Sequence, residues 1–294
     1  MDGSCLTRPK SGTDTIIVRH PDFYFSDGSV VIIVEKTAFR IHQSVLARHS
    51  EVFKGMWDVP QPQKTDTYDG CPSVVLQDSV NDFVDVMRVL YDAFHFDKIR
   101  PDTSLSHLIT FISGILRIST KYNMQQLRNK CITIIQDKFP SSLRRCDDVL
   151  TRSIQYVPSE IVRIIPLARE TTIPKVLPWA FYLCAHISVD EILSNTVLSW
   201  KDKSLCLAGK EPNTGMHHRM PGARNGASAT QVERYRINPH PLEEYTDWRS
   251  LMICIKCQAM VEAQHREGRE KVWQKLPSLF HLGTWEDINK DQSC

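Results

Sequence analysis

Cys254 and Cys257 have a spacing with a chemical meaning of its own. A Cys-x-x-Cys pair can be half of a zinc site or a redox dithiol. A structural zinc site needs two more ligands, and they are missing at a finger's spacing. His265 comes eight positions after Cys257, and His281 stands alone. Around the pair, Trp248, Leu251, Met252, Ile255 and Ala259 recur at helical intervals. A helix puts both thiols on one face, so the pattern predicts that they pack as small apolar groups. Cys254 and Cys257 are thus the weak metal candidates of a chain otherwise expected to carry no metal and no cofactor.

The other polar clusters read the same way. His42 could be a ligand or a proton switch. No nucleophile or metal cluster lies near it in sequence, so a histidine satisfied at a helix start is expected. His217 and His218, with Arg219 and Arg224, sit in a Gly/Pro-rich stretch that reads as a solvated loop. Glu262–Arg266 and Glu267–Lys271 are i,i+4 pairs, each worth roughly a few tenths of a kcal/mol, and describe a solvated helix face rather than a nucleic-acid groove. The sequence has no Gly-x-Ser-x-Gly elbow, phosphate loop, Gly-x-Gly-x-x-Gly or His-Glu-x-x-His. No catalytic residue, enzyme activity or small-molecule substrate is predicted.

Composition narrows the class further. The 294 residues are 41% hydrophobic and 24% charged, which excludes a wholly disordered or fibrous chain. Lys and Arg number 36 against 34 Asp and Glu, a net charge of +2, which gives no global attraction to nucleic acid or an anionic membrane. The strongly apolar run Val30 to Val34 is far short of the roughly 20 residues that span a bilayer. The N-terminus lacks a basic start followed by an apolar stretch, so a cytoplasmic or nuclear protein with reduced thiols is expected.

The elements that must position these residues can be read from periodicity. Residues 1–21 are polar and read as a flexible tail. Residues 29–35 and 37–41 read as a hairpin, and 44–49 and 50–57 as two short helices. After a loop at 60–72 comes a strand at 73–77. Phe83, Val86, Met87, Leu90 and Tyr91 mark a helix, and two more stripes run from Leu105 to Leu116 and from Met124 to Ile135. Strands gathered early with helices after them predict an α+β domain over 22–138. A helical extension follows at 139–207, with Ser188-x-x-Glu191 as a capping box. Residues 208–240 read as a flexible linker or insertion, and 241–294 as a long helix ending in an apolar anchor. Trp273, Leu276, Phe280 and Trp285 are expected to dock on the helices at 145–207.

The stretch Phe39-Arg40-Ile41-His42-Gln43-Ser44-Val45-Leu46-Ala47-Arg48-His49-Ser50-Glu51-Val52-Phe53 resembles the core signature of BTB/POZ domains. Val30 to Val34, Leu90-Tyr91 and Ile118 to Leu127 fit the family's first strand and later helices in the right order. The signature residues here are Asp27, Phe39, His42, Leu46, Ser50 and Phe53. Four further stretches resemble BTB proteins of mushroom-forming fungi: Arg19 to Phe25, Asp69 to Pro72, Phe181 to Ala185, and Trp273 to Phe280.

The resemblance implies an N-terminal BTB/POZ domain, a short sheet capped by helices, followed by an all-helical C-terminal extension. It implies a non-enzymatic protein-interaction module or scaffold that forms a homodimer and recruits other proteins. Val52, Phe53, Met56 and Trp57 follow the signature. Some must fill the core, and any left outside form the self-association patch; the sequence leaves the division open. Two alternatives follow from the same resemblance. One is a substrate adaptor for a cullin-type ubiquitin ligase. Such adaptors resemble one another in an apolar-x-Glu motif, where this chain has Val59-x-Gln61, and an amide cannot make the same charge-assisted bond. The other is a transcriptional regulator acting through recruited partners. Gln43 replaces the basic residue that zinc-finger repressors resemble one another in carrying, so their charged pocket is incomplete. The expected partners are proteins: a second copy, other proteins and, for the adaptor, a cullin. Nucleic acid and membrane are not among them.

Overall fold

The computed structural model describes residues 16–59, 66–151, 156–210, 242 and 244–290. They form two compact units. The first comprises the described residues through Lys98 together with Ile118–Gln126. The second comprises Ile99–Arg117 and the described residues from Leu127 onward.

The first unit is built on a five-stranded mixed sheet in the order β1-β3-β2-β5-β4. β2 (Val30–Val34) and β3 (Thr37–Ile41) form the expected antiparallel hairpin, with Val30 opposite Ile41 and Val34 opposite Thr37. Glu35, at φ 53°, takes the left-handed conformation that a two-residue hairpin loop requires. β2 is buried on both faces, which is why five β-branched residues run without alternation. β5 (Cys71–Leu76) pairs parallel with β2, and β4 (Thr67–Tyr68) pairs antiparallel with β5 through a turn at Asp69-Gly70, both with positive φ.

β1 (Val18–Tyr24) corrects the expected tail at 1–21: residues 18–21 lie in a strand parallel to β3. It is an edge strand in which Phe23 alone is buried, and Pro21 lies in its middle. Most of its side chains therefore carry no hydrophobic signal. Residues 1–15 of that expectation lie outside the described residues.

Two helices stand between β3 and β4, and the others follow β5. They are α1 (Gln43–His49), α2 (Glu51–Asp58), α3 (Val80–Tyr91), α4 (Leu105–Lys121) and α5 (Gln125–Gln136). The apolar stripes become buried faces, with Phe83, Val86 and Met87 on α3 and Ile112, Ile115 and Leu116 on α4 inaccessible to solvent. On one sheet face Phe39 meets Phe83 edge-on at 4.9 Å. On the other, Ile17, Tyr24 and Tyr68 cover Val31, Ile33, Ala38 and Cys71.

The segment after Phe139 is helical among the described residues. It contains α6 (Leu143–Thr151), α7 (Pro158–Glu170), α8 (Leu177–Cys184), α9 (Val189–Ser194), α10 (Trp200–Ala208), α11 (Ile255–Leu279) and α12 (Trp285–Lys290). α8 is buried almost all round and forms the middle of this unit. A 3-10 turn at Pro174–Val176 leads into it, and the α-helix proper starts beside Pro178, where a missing N–H costs nothing. Ser188 and Glu191 satisfy each other's backbone amides ahead of α9. Trp273 lies 6.3 Å from Trp179, Phe280 stacks on Phe181 at 5.4 Å, and Trp285 stacks on Trp273 with its indole N–H on the Trp273 carbonyl at 2.8 Å. Gly209 is required where it stands: a Cβ there would sit 2.6 Å from the Phe280 ring.

Within 241–294, expected as a long helix, the helix itself begins only at Ile255. Trp248–Leu251 is a separate 3-10 turn closed by Met252 at φ 51°, and α11 runs on past Pro277. The expected linker begins inside the described fold, because α10 reaches Ala208 and Lys210 bonds the Ala185 carbonyl at 2.7 Å. Residues 211–240 lie outside the described residues. No described helix is long and apolar enough to cross a membrane.

Candidate protein-interaction site

The signature residues converge on the start of α1 and α2. His42 stands just before α1, in extended conformation. Its backbone N–H donates to the Tyr91 hydroxyl at 3.1 Å, and its Nδ1 lies 3.0 Å from the same oxygen. Nε2 lies 3.4 Å from the Asp27 carboxylate. One proton arrangement satisfies all three contacts: Tyr91 O–H donates to Nδ1, and Nε2–H donates to Asp27. The contact holds the Asp27 carboxyl below the usual carboxylate range, and burial pushes the Tyr91 phenol up. His42 thus ties the loop before β2 to the end of α3. This is a positioning role, made through two side chains and one amide.

The loop needs a glycine beside that aspartate. A Cβ on Gly28 would lie 2.9 Å from the backbone of Arg40, and the Gly28 carbonyl accepts from Arg40 Nε at 3.0 Å.

Ser50 separates α1 from α2 and is buried. Its Oγ accepts the Phe53 N–H at 3.0 Å, capping α2, and donates to the Tyr122 carbonyl at 2.5 Å. The Phe53 ring stacks on Tyr122 at 4.6 Å and on Trp57 at 5.7 Å. Tyr122 and Lys121 close the arrangement on one carboxylate. Asp78, 6% exposed, accepts from the Tyr122 hydroxyl at 2.5 Å and from Lys121 Nζ at 2.7 Å. Burial and that carboxylate raise the Tyr122 phenol well above its ordinary value, so it remains a donor. The Asp78 contribution escaped the sequence reading. Lys121 and Tyr122 point to it only once the fold places Asp78, two residues before α3, beside the end of α4.

The structure divides the candidate interaction residues. Phe53 is 1% exposed and belongs to the core, because its position one turn into α2 faces Tyr122. Its ring is therefore closed to a partner. Val52 is 45% exposed, and Met56 and Trp57 are half-buried. Val52 and Met56, four apart, share a face. Val59 is exposed just beyond α2, whereas Gln61 lies outside the described residues.

A second cluster sits on the sheet's outer side. Asp69, in the β4–β5 turn, pairs with Arg19 at 2.6 Å and accepts from the Tyr24 hydroxyl, with the Arg19 guanidinium over the Tyr24 ring. The Tyr24 phenol is pushed up to about 12, first by burial and then by that carboxylate. Two edge strands are joined in this way, and the residues doing so fall in two of the stretches singled out from sequence.

Cys254 and Cys257 do not pack in a core: both are exposed. Helical periodicity places them on one face, but none of residues 255–267 is buried, so that face has no covering layer among the described residues. No group of three or more His, Cys, Asp or Glu residues placed to hold a metal ion occurs among the described residues.

The BTB/POZ domain family model matches residues 25–139, three residues inside the expected start and one beyond the expected end. The chain therefore carries an N-terminal BTB/POZ domain, a general protein–protein interaction module, followed by a helical region. No curated protein matches the chain.

Proposed function

We propose that this chain self-associates through its BTB/POZ domain, using the outward face of α2, and that the helical region selects the proteins it gathers. The observation that carries the reading is the split within α2. Phe53 is sealed in the core while its neighbour Val52 stays 45% exposed, with Met56 on the same face and half-buried. An exposed valine beside a methionine and a tryptophan is a natural contact patch for a second copy, because burying it removes apolar surface from water symmetrically. Pro21 on β1 lacks a backbone N–H, which makes that edge a poor template for strand pairing and supports association through side chains.

Val52→Asp tests this. It puts a charge on an exposed site, where the fold tolerates it, and puts like charges near each other across a two-fold contact. The dimer should weaken at least tenfold, about 1.4 kcal/mol, with the melting temperature of the diluted protein unchanged. An unaltered dimer would refute the choice of face.

The exposure of Val59 favours a second reading, a cullin-ligase adaptor. Val59→Asp should then abolish direct cullin binding. Phe53→Ala is unsuitable here, since loss of a core ring would reduce binding through unfolding. Absence of cullin binding by the wild-type chain would end this reading and leave the first intact.

A further inference from the structure

Of the seven described free cysteines, five are buried and two, Cys254 and Cys257, are exposed. Cys254 stands immediately before α11, with φ −66° and ψ 156°, and its Sγ accepts the Cys257 backbone N–H at 3.4 Å. Cys254 and Cys257 thus stand three residues apart on the first turn, with the Cys254 sulfur against the Cys257 amide. The backbone N–H and the neighbouring thiol hold Cys254 below the ordinary thiol value. Cys257, giving its proton toward that sulfur and then ionising beside its charge, is held above it. The pair is therefore unequal: one sulfur is set to attack and the other to follow.

Access separates this pair from the rest. Cys184 and Cys206 are both buried, and the neighbouring Cys206 thiol together with burial strongly disfavours the Cys184 thiolate. Burial likewise pushes Cys131 and Cys146 up to about 12. At the start of α11 the surroundings are open: Met252 is 95% exposed, Ile255 86% and Met260 56%. Disulfide exchange requires an incoming disulfide to reach the attacking sulfur in line, and this is the described pair where it can.

We propose that Cys254 and Cys257 form a redox-active dithiol that exchanges with low-molecular-weight disulfides, Cys254 attacking and Cys257 resolving. The Cys254 thiolate attacks one sulfur of the disulfide R–S–S–R. A mixed disulfide forms, the R–S–S–R bond breaks, and one RS⁻ leaves. Cys257 then loses its proton, attacks the Cys254 sulfur and expels the second RS⁻. In sum the dithiol is oxidised to an intramolecular disulfide, and the incoming disulfide is reduced to two thiols that take up the two released protons.

The test uses the full chain with Cys5→Ser and Cys294→Ser, so that those two thiols cannot compete. The protein is incubated with oxidised glutathione, quenched by alkylation and digested with trypsin. Lys256 separates the two cysteines, so a closed pair appears as peptide 250–256 linked to peptide 257–266. That linked species should accumulate, and Cys257→Ser should stop at one glutathione on Cys254. Cys254→Ser should react at least tenfold more slowly than Cys257→Ser. All three chains should melt together, since both positions are exposed. Glutathione on both cysteines as separate adducts, with no linked peptide, would overturn the proposal. So would equal rates in the two single variants.

Discussion

Ser50→Ala removes one oxygen and breaks two connections, which makes it the sharpest probe of the BTB core. The hydroxyl caps α2 by accepting the Phe53 N–H at 3.0 Å, and it donates to the Tyr122 carbonyl at 2.5 Å. Loss of a serine cap costs about 1 kcal/mol. A buried carbonyl left without its donor costs roughly 1–3 kcal/mol more, because Ser50 is 1% exposed and water cannot readily replace it. The sum is about 2–4 kcal/mol, a large part of the roughly 5–15 kcal/mol that holds a domain folded. With a urea slope of about 2 kcal/mol/M, the midpoint should fall by about 1–2 M. The chain has two compact units, so the probe must report on the first alone. Of six tryptophans, Trp57 is the one in that unit, and its ring stacks on Phe53. Fluorotryptophan NMR of the Trp57 resonance during urea titration is therefore the assay. Ser44→Ala, at an exposed position on α1, is the control. A Ser50→Ala midpoint no lower than that of Ser44→Ala would refute the argument that this hydroxyl links α2 to the end of α4.

Other outcomes follow from the same structure. Phe53→Ala should cost about 3–5 kcal/mol by leaving a cavity against Tyr122, while Val52→Ala should cost under about 0.5 kcal/mol; both can be read from the Trp57 urea midpoint. Gly209→Ala should destabilise the second unit by about 1–3 kcal/mol, because its methyl would press on the Phe280 ring, and near-ultraviolet circular dichroism on heating would show it. Burial holds His20, His49 and His95 below the ordinary histidine value of 6.5. A depressed histidine contributes stability that is complete above its unfolded value and lost as pH falls through it toward the folded value. The melting temperature should therefore decline as pH drops below about 6.5, and less so in His95→Gln, whereas an identical profile in that variant would exclude its contribution.

Much of the fold is legible in the sequence wherever burial repeats at a structural period. The β2–β3 hairpin, the stripes on α3 to α5 and the Ser188–Glu191 cap are such places. β1 is not, because an edge strand with one buried side chain and a proline at its centre has no periodic signal. Periodicity also locates a helix face without saying whether anything lies against it. Trp273 and Leu276 on α11 meet a packed layer, while Cys254 at its start and Met260 on its second turn face solvent, although all belong to similar-looking apolar patterns. The interaction site was legible as a segment. Val52 and Phe53 are adjacent apolar residues, and the ring position of Tyr122, seventy residues on, decides which one is core.

Sedimentation velocity of the full chain across micromolar concentrations, for wild type and Val52→Asp, tests the central claim of self-association through α2. A wild-type species of twice the chain mass that becomes monomeric in Val52→Asp is the predicted result. A wild-type chain that remains monomeric throughout, or a dimer indifferent to the substitution, would contradict it.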